Sequence, residues 1–289
     1  MQPTQSTFRK TRIAPTPSGY LHLGNVLSFA LTAALAGKTG AKILLRIDDL
    51  DRQRIRDEYV QDIFDTLNFL EIPYDDGPRD LSEYKSQWSQ LYRLEMYHKA
   101  IERLKMHGHL YACICSRTAV DPCICYNKRI AFNEPGCSWK LKTTDEEIPV
   151  KTYPNQTISA KLTPDMQNFV VRKKDGFPAY QLASGCDDLH FGVDLVVRGQ
   201  DLWPSTLAQL HLAQKLKAEP FFKTTFYHHP LLMASGNQKL SKSAGDTSIK
   251  HLRESGKTPA EIYSMIASLC GKDEEIENCQ QLADALNWF

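Results

Sequence analysis

The first fifty residues limit the possible folds most strongly, because they predict a strand, a helix and a second strand in close succession. The first strand is "TRIAPTP" (11–17), the helix is "LGNVLSFALTAALAGKTG" (23–40) and the second strand is "AKILLRIDD" (41–49). Such units join parallel strands through a right-handed crossover, and ligands bind where those strands end. The tetrad "HLGN" (22–25) lies at that end. We therefore expect an α/β fold with a ligand site beside the tetrad.

The composition is that of a globular protein without a strong charge bias. Of the 289 residues 42% are hydrophobic, and 35 Lys and Arg oppose 34 Asp and Glu, which gives a net charge of +1. This length fits one large or two modest domains. The balance of charged residues excludes a large overall positive charge that would attract polyanions such as nucleic acids. The apolar run Val26–Gly37 is shorter than the roughly 20 residues that span a bilayer. We expect no membrane association and a cytoplasmic location.

The sequence pattern changes twice along the chain. Two helices are predicted after the first unit, "DEYVQDIFDTLNFL" (57–70) and "YKSQWSQLYRLEMYHKAIERLKMHG" (84–108). Short alternating runs then predict a β-rich insertion, and "FGVDLVVRG" (191–199) with "STLAQLHLAQKL" (205–216) predicts a return to the parallel sheet. The tail from Pro259 predicts helices. The resulting division is a first half of the α/β domain at 1–110, an insertion at 111–175, a second half at 176–245 and a helical segment at 246–289.

Clustered cysteines predict a metal site in the insertion. Five of the eight cysteines fall within 25 residues, and four of them form two C-x-C pairs in "CICSRTAVDPCIC". Clustering favours a metal over a disulfide framework, and each pair can give two thiolates to a tetrahedral ion. Two alternatives remain: Cys137 replaces one of these four cysteines as a ligand, or the cysteines are reduced thiols that bind no metal. The predicted zinc ligands are Cys113, Cys115, Cys123 and Cys125.

Two short motifs carry the chemistry when they are taken together. The tetrad at 22–25 alone is compatible with a simple polar turn, and "KLSKS" (239–243) alone is compatible with a solvated charged loop. In this order and on these elements they resemble the HIGH and KMSKS motifs of class I aminoacyl-tRNA synthetases. Further segments resemble glutamyl-tRNA synthetases, and most of all their short relatives, the glutamyl-queuosine tRNA(Asp) synthetases. These segments are "RIAPTPSGYLHLGN", "LLRIDDLDRQR", "DDGP", "FPAYQLASGCDD" and "DLVVRGQDL".

The resemblance implies a Rossmann-like catalytic domain that activates an amino acid with ATP and Mg²⁺. A carboxylate attacks the α-phosphate, so the protein must hold two anions together and stabilise developing charge. A helix N-terminus suits the phosphates. His22 and Lys242 are the implied catalytic residues. The implied ATP-binding set is His22, Gly24, Asn25, Lys239, Leu240, Ser241, Lys242 and Ser243.

The resemblance also implies a glutamate pocket, with one departure from the family pattern. Arg198 is expected to pair with the substrate side-chain carboxylate, because a guanidinium matches a planar carboxylate. Where the family usually has Glu for the substrate ammonium, this chain has Asp48, which is shorter by one methylene. There are three ways to accommodate the shorter side chain: the pocket backbone moves inward, a water bridges the gap between Asp48 and the ammonium group, or another amino acid is preferred. The expected glutamate-binding residues are Arg12, Ala14, Thr16, Asp48, Tyr180 and Arg198.

The expected RNA partner follows from the same resemblance. Full-length glutamyl-tRNA synthetases carry a large helical anticodon-binding region after the lysine loop, whereas 46 residues follow Ser243 here. We therefore expect a monomer that transfers glutamate to queuosine in the anticodon stem-loop of tRNA(Asp), with a structural zinc in the insertion. Three rivals remain: activation of another small carboxylate, a truncated glutamyl-tRNA synthetase acting on an acceptor end, and a non-catalytic binding module.

Overall fold

The structure is a computed structural model and describes residues 7–116, 123–234, 238–239 and 248–289, with only the backbone at 233–234 and 238–239. The strands are β1 (Lys10–Ile13), β2 (Lys42–Leu45), β3 (Leu110–Cys113), β4 (Ser138–Leu141), β5 (Ile148–Thr152), β6 (Gln156–Ala160), β7 (Val170–Arg172), β8 (Leu195–Gly199), β9 (Thr225–His229), β10 (Met233–Ala234) and β11 (Gln238–Lys239). The α-helices are α1 (Leu23–Thr39), α2 (Asp57–Phe69), α3 (Leu81–Glu83), α4 (Leu94–Met106), α5 (Tyr180–His190), α6 (Trp203–Leu216), α7 (Ile249–Glu254), α8 (Pro259–Leu269) and α9 (Cys279–Leu286).

A mostly parallel sheet forms the centre of the molecule. β1 pairs with β2 in parallel, and β8, β9 and β5 form a second parallel group edged by antiparallel β6. The two groups meet where the Asp194 amide donates to the Lys10 carbonyl at 3.0 Å. Along β8, Leu195 and Val197 enter one hydrophobic core and Val196 enters another. Because successive strand residues face opposite sides, both faces of the sheet are covered, which confirms the predicted α/β class.

Helix α1 explains the apolar run near the start of the chain. It is capped by His22 at its beginning and by Gly40, at φ 77°, at its end. Val26, Leu27 and Leu31 are fully buried against the sheet and the C-terminal helices. The helix is apolar because it is buried. Within the described ranges, no helix is long and apolar enough to cross a membrane.

The helix predicted over 84–108 is interrupted. A π-helical turn covers Tyr84–Trp88, a 3-10 turn covers Gln90–Arg93, and α4 begins only at Leu94. The break lies at Ser89, whose ψ is 141°. There the Ser89 hydroxyl and the Gln90 amide both donate to the buried carboxylate of Asp49. Hydrogen bonds to Asp49, which is distant in sequence, therefore interrupt the helix at this point.

The segment predicted as a β-rich insertion contributes to two sheets. β3, β4 and β7 form a small antiparallel sheet, with Leu110 opposite Leu141. By contrast, β5 lies in the central sheet, where Lys151 is opposite Thr225 of β9. The alternating runs "SWKLKT" and "NFVVRKKDG" contain β4 and β7, but alternation could not identify the partners of a strand.

Helices α7, α8 and α9 form the predicted helical C-terminal region. Ile262 and Ile266 of α8 and Leu282 and Leu286 of α9 are buried in the same core as α1. Thr258 and Glu261 form a reciprocal capping box at the start of α8. The C-terminal region therefore covers the face of α1 that the sheet leaves open.

Candidate functional site

The N-terminus of α1 holds the tetrad in a fixed turn. Nδ1 of His22 accepts a hydrogen bond from the Gly24 amide at 3.1 Å, and the Asn25 side chain accepts one from the His22 amide at 3.0 Å. Since Nδ1 acts as an acceptor, the neutral ring carries its proton on Nε2. A Cβ at Gly24 would lie 3.0 Å from His22 Cε1 and 3.1 Å from Nδ1. The absence of a side chain at position 24 thus leaves room for the imidazole in this position.

The segment that follows the lysine loop returns to this turn. Ser248 forms an antiparallel bridge with His22, and the Ile249 amide donates to the Leu21 carbonyl at 2.8 Å. Lys250 Nζ donates to the Tyr20 hydroxyl at 3.1 Å. The chain from Ser248 onward therefore lies against the HLGN turn.

The lysine loop itself is described only in part. The backbone of Lys239 pairs with Met233 in the β10–β11 hairpin. The predicted ATP-binding residues Leu240, Ser241, Lys242 and Ser243 lie outside the described residues.

Arg12 lies buried on β1 and points toward α5. Its Nη1 donates to the Val197 carbonyl at 3.1 Å, and its Nε lies 3.4 Å from Asp188 Oδ1. After β1 the chain passes through half-buried Ala14 and exposed Thr16. These three predicted pocket residues thus lie on one short stretch at the end of the strand.

Asp48 lies at the corresponding end of β2, where its carboxylate is already paired. Both of its oxygens accept from Arg46, at 2.7 Å from Nε and 3.1 Å from Nη2. Its amide donates to the Pro15 carbonyl at 2.9 Å, which places it beside the Arg12 stretch. Burial raises the pKa of Asp48, although the Arg46 charge opposes the shift. Asp48 is therefore close to the expected pocket but turned toward Arg46.

Two adjacent carboxylates of α5 complete the charge pairing. Asp188 Oδ1 accepts from Arg46 Nη1 and also pairs with Arg12. Asp187 accepts from Arg93 Nε at 2.7 Å and from the Tyr97 hydroxyl at 2.6 Å. Burial alone would raise the pKa of Asp187, but the neighbouring Arg46 and Arg93 charges hold it below its ordinary value. We call Arg12, Arg46, Asp48 and Asp188 the sheet-end charge network.

Sequence reasoning did not single out three residues of this region: Arg46, Asp187 and Asp188. The available signal was the spacing of Arg46 and Asp48, since residues two apart on an extended chain share a face. The adjacent acidic residues in "CDD" on a largely buried helix were a second signal, because buried carboxylates require partners.

Arg198 lies on the neighbouring strand β8 and is also buried. Its Nη1 donates to Gln209 Oε1 at 3.1 Å and its Nη2 donates to the Thr206 hydroxyl. Among the residues that the structure describes, none accepts a hydrogen bond from its Nε. Burial lowers the pKa of Arg198 to about 10, which leaves it charged at neutral pH, and nearby Tyr180 favours the charged form. A buried cation with an unsatisfied donor is suited to an anionic ligand.

The four predicted cysteines converge on one point. The Sγ–Sγ distances are 3.5 Å for Cys113–Cys123, 3.7 Å for Cys115–Cys123 and 3.4 Å for Cys115–Cys125. All four sulfur atoms lie within 4.8 Å of one another. Tetrahedral zinc with bonds of about 2.3 Å places its sulfur ligands about 3.8 Å apart. We call these four residues the cysteine cluster; its donor set and spacing fit a metal ion.

Hydrogen bonds among the four thiols shift their pKa values in opposite directions. Hydrogen bonds to Cys125 and Cys123 raise the pKa of Cys115 to about 12. Burial raises the pKa of Cys125, yet hydrogen bonds from the Ile114 backbone and from Cys115 bring it down to about 7. Cys137, the alternative ligand, lies apart from the cluster and donates to the Phe132 carbonyl at 3.4 Å.

Comparison with known proteins identifies relatives of this chain. A glutamate–tRNA ligase of Nitrosospira multiformis is 30% identical over 97% of this chain and 61% of its own length. A glutamyl-Q tRNA(Asp) synthetase of Nitratidesulfovibrio vulgaris is 32% identical over 90% of this chain and 86% of its own length. The chain thus spans about three-fifths of the glutamate–tRNA ligases that it matches and most of the shorter protein.

The fold has a close structural counterpart. A crystal structure of the glutamate–tRNA synthetase from Elizabethkingia anophelis superposes with a TM-score of 0.74 at 21% identity, covering 95% of this chain and 65% of that one. Residues 9–121 and 129–289 match the family described as tRNA synthetases class I (E and Q), catalytic domain. The chain therefore belongs to the class I tRNA synthetase catalytic-domain family for glutamate and glutamine.

Proposed function

We propose that this protein activates glutamate with ATP and transfers it to queuosine in the anticodon of tRNA(Asp). The observation that carries the activation step is the buried Arg198, whose Nε has no acceptor among the described residues, near a second buried guanidinium on Arg12. The acceptor is supported by the similarity to the glutamyl-Q tRNA(Asp) synthetase over 86% of that protein's length.

Activation requires no nucleophile from the protein. An oxygen of the substrate α-carboxylate bonds to the α-phosphorus of ATP, the bond to the bridging oxygen breaks, and pyrophosphate leaves with its electron pair. In this proposal Nε2–H of His22 donates to a phosphate oxygen, while the first amides of α1 face the same phosphates. Lys242 adds positive charge as pyrophosphate departs, and Mg²⁺ accompanies the ATP phosphates.

The amino-acid pocket would lie between β1, β8 and α5. Arg198 pairs with the substrate side-chain carboxylate, with Tyr180 at the open side of the pocket, where it is 41% exposed. Asp48 attracts the ammonium group, but its bidentate pairing with Arg46 weakens that attraction. The glutamate ammonium must therefore approach Asp48 more closely than it would approach a longer, unpaired carboxylate.

Transfer would consume the glutamyl-adenylate. A hydroxyl oxygen of the queuosine cyclopentenediol attacks the activated carbonyl carbon, the bond to AMP breaks, and the AMP phosphate takes the hydroxyl proton. The products are glutamyl-queuosine and AMP. The protein contributes orientation of the two reactants, which converts a bimolecular step into an effectively unimolecular one.

The cysteine cluster would hold a structural zinc ion. Cys113 and Cys115 come from the end of β3, and Cys123 and Cys125 come from the turn that precedes β4. Four thiolates close the coordination shell, so such an ion pins these two segments together and leaves no open position for substrate.

Two measurements test the function. Glutamate-dependent exchange of pyrophosphate into ATP without RNA should be observed, and exchange with another amino acid but not with glutamate would refute the amino-acid assignment. Mass spectrometry of tRNA(Asp) from a deletion strain should then show loss of glutamyl-queuosine. Its persistence would refute the acceptor assignment.

A second candidate acceptor is the 3′ end of a tRNA, because glutamate–tRNA ligases match 97% of this chain. The two acceptors are distinguished by incubating the protein with labelled glutamate and either purified tRNA(Glu) or queuosine-bearing tRNA(Asp), and measuring which RNA becomes labelled. Periodate oxidation before the assay destroys the terminal diol of both RNAs and the queuosine diol as well. Queuosine-free tRNA(Asp) is therefore the decisive control, since it keeps the 3′ end and lacks the queuosine acceptor.

A further inference from the structure

An open cleft of about 580 Å³ lies beside the amino-acid pocket, at the ends of β5 and β9. None of the residues that line it belongs to the HLGN turn, to the Arg12 stretch or to α5. Its principal lining residues are Tyr153, Gln156, Gln200, Trp203, Tyr227 and His228.

The floor of the cleft is an open strand edge. The Tyr153 amide donates to the Phe226 carbonyl at 2.9 Å, and the chain then turns away at Pro154. Because backbone groups alternate along a strand, the N–H and C=O of His228 face the same edge as those of Phe226. The β5–β9 register ends at Phe226, so within the described residues β5 does not continue the ladder to His228. The edge therefore presents one donor and one acceptor side by side.

Aromatic rings from two elements stand over this edge. Trp203, at the start of α6, packs edge-on against His228 with ring centres 5.0 Å apart. Tyr153 packs edge-on against Tyr227 with ring centres 6.3 Å apart. The amide side chains of Gln156 and Gln200 lie at the rim. Aromatic walls, amide side chains and an adjacent, open backbone donor and acceptor suit a planar heterocycle that carries its own donor and acceptor.

We propose that this cleft binds a nucleobase of the RNA that receives the amino acid, an inference that rests on the proposed function. The cleft shares a wall with the pocket: His228 Nε2 lies 2.8 Å from the Thr206 hydroxyl, which in turn accepts from Arg198. A base seated here brings its own strand of RNA to the side of the pocket opposite the HLGN turn. The adenine of ATP is the other nucleobase in the reaction, but the lining residues are separate from that turn.

Direct binding tests the proposal apart from catalysis. The probe is a dye-labelled anticodon stem-loop of tRNA(Asp) with queuosine, titrated with the full chain and followed by fluorescence anisotropy. Removing one stacking ring, in Trp203→Ala or Tyr153→Ala, should weaken binding about tenfold, since stacking on an aromatic ring is worth roughly 1–3 kcal/mol per base. Tyr153→Phe keeps the ring and should bind within twofold. Tyr92→Ala removes an aromatic ring that is 60% exposed outside the cleft and should have no effect.

Glutamate-dependent pyrophosphate exchange is measured on the same variants. Unchanged exchange with weakened RNA binding supports the proposal. Unchanged RNA affinity in both alanine variants overturns it, as does a raised KM for ATP, which would assign the cleft to adenine. Exposed Gln156 allows Gln156→Ala as a second variant with little risk to folding; it should weaken RNA binding about threefold, the loss of one hydrogen bond. If wild-type exchange with glutamate is absent, the proposed function fails while the RNA titration still tests the cleft.

Discussion

The sheet-end charge network and the cysteine cluster gather chemically demanding groups in opposite ways. In the network, two buried guanidiniums are matched by two buried carboxylates drawn from β1, β2 and α5. In the cluster, four sulfur atoms come within 4.8 Å of one another on two short segments, with no cationic side chain in the group. The first region thus contains its own compensating charges, whereas the second has the donor set and the spacing for a cation supplied from outside.

The contrast between the charge network and the cysteine cluster predicts that substitutions in the cluster have the largest effect, which is loss of the metal ion. Purified protein should contain about one zinc ion per chain, and Cys125→Ser should lose it on dialysis against a weak chelator, because a tetrahedral site needs all four ligands. Stability of the small β3–β4–β7 sheet should fall with the metal, as seen by thermal unfolding. Cys137→Ser, outside the cluster, should keep its zinc. Equal zinc in both variants would remove Cys125 from the ligand set.

The network should instead fail when one internal partner is removed. Arg46→Met leaves the buried Asp48 and Asp188 without their shared cation, and should lower the free energy of unfolding by about 3–5 kcal/mol. The control is Arg54→Met, because Arg54 forms a long ion pair of 3.9 Å with Asp51 and both side chains are exposed. This substitution should change the free energy of unfolding by less than about 1 kcal/mol. Urea unfolding measures both. A loss below about 1 kcal/mol in Arg46→Met would show that the network is not self-compensating as described.

A pair of glycine substitutions in α1 examines the turn that adjoins the network. In Gly24→Ala the new methyl group would crowd the His22 ring, at 3.0 Å, so the rate of pyrophosphate exchange should fall about tenfold. In Gly37→Ala the methyl group meets nothing within 4 Å and should stabilise the same helix by up to about 1 kcal/mol without changing exchange. Equal exchange rates in the two variants would mean that the His22 position is not critical.

The smallest expected effect is the pH dependence of stability near the network. Burial, followed by the Arg198 charge, lowers the pKa of His228 to about 3. The unfolded histidine takes up a proton below about pH 6.5 and the folded one does not, so stability is full above that pH and falls as the pH drops toward 3. At pH 5.5 the loss is about 1.4 kcal/mol. His228→Gln should flatten this slope, as measured by urea unfolding across that pH range.

Prediction from sequence succeeded where the determining interactions are local. The β1–α1–β2 unit and the convergence of the cysteines follow from periodicity, caps and spacing within short segments. It failed where the partner is distant: Asp49 breaks the helix expected over 84–108, and β9 takes β5 into the central sheet. Likewise the pairing of Arg46 with Asp48 and Asp188 could not be assigned, because nothing in one sequence states which buried charges meet. The roles of Lys242 and of the other loop residues stay predictions.

The antiparallel bridge between His22 and Ser248 also sets an order in time. During synthesis at about 5–20 residues per second, His22 emerges roughly 10 to 45 s before Ser248 does. Through that interval helix α1 also lacks α8 and α9, which cover its outer face. The HLGN end of the molecule is therefore among the last parts to be completed, and a nascent chain that already displays the HLGN turn cannot yet hold it in its final form.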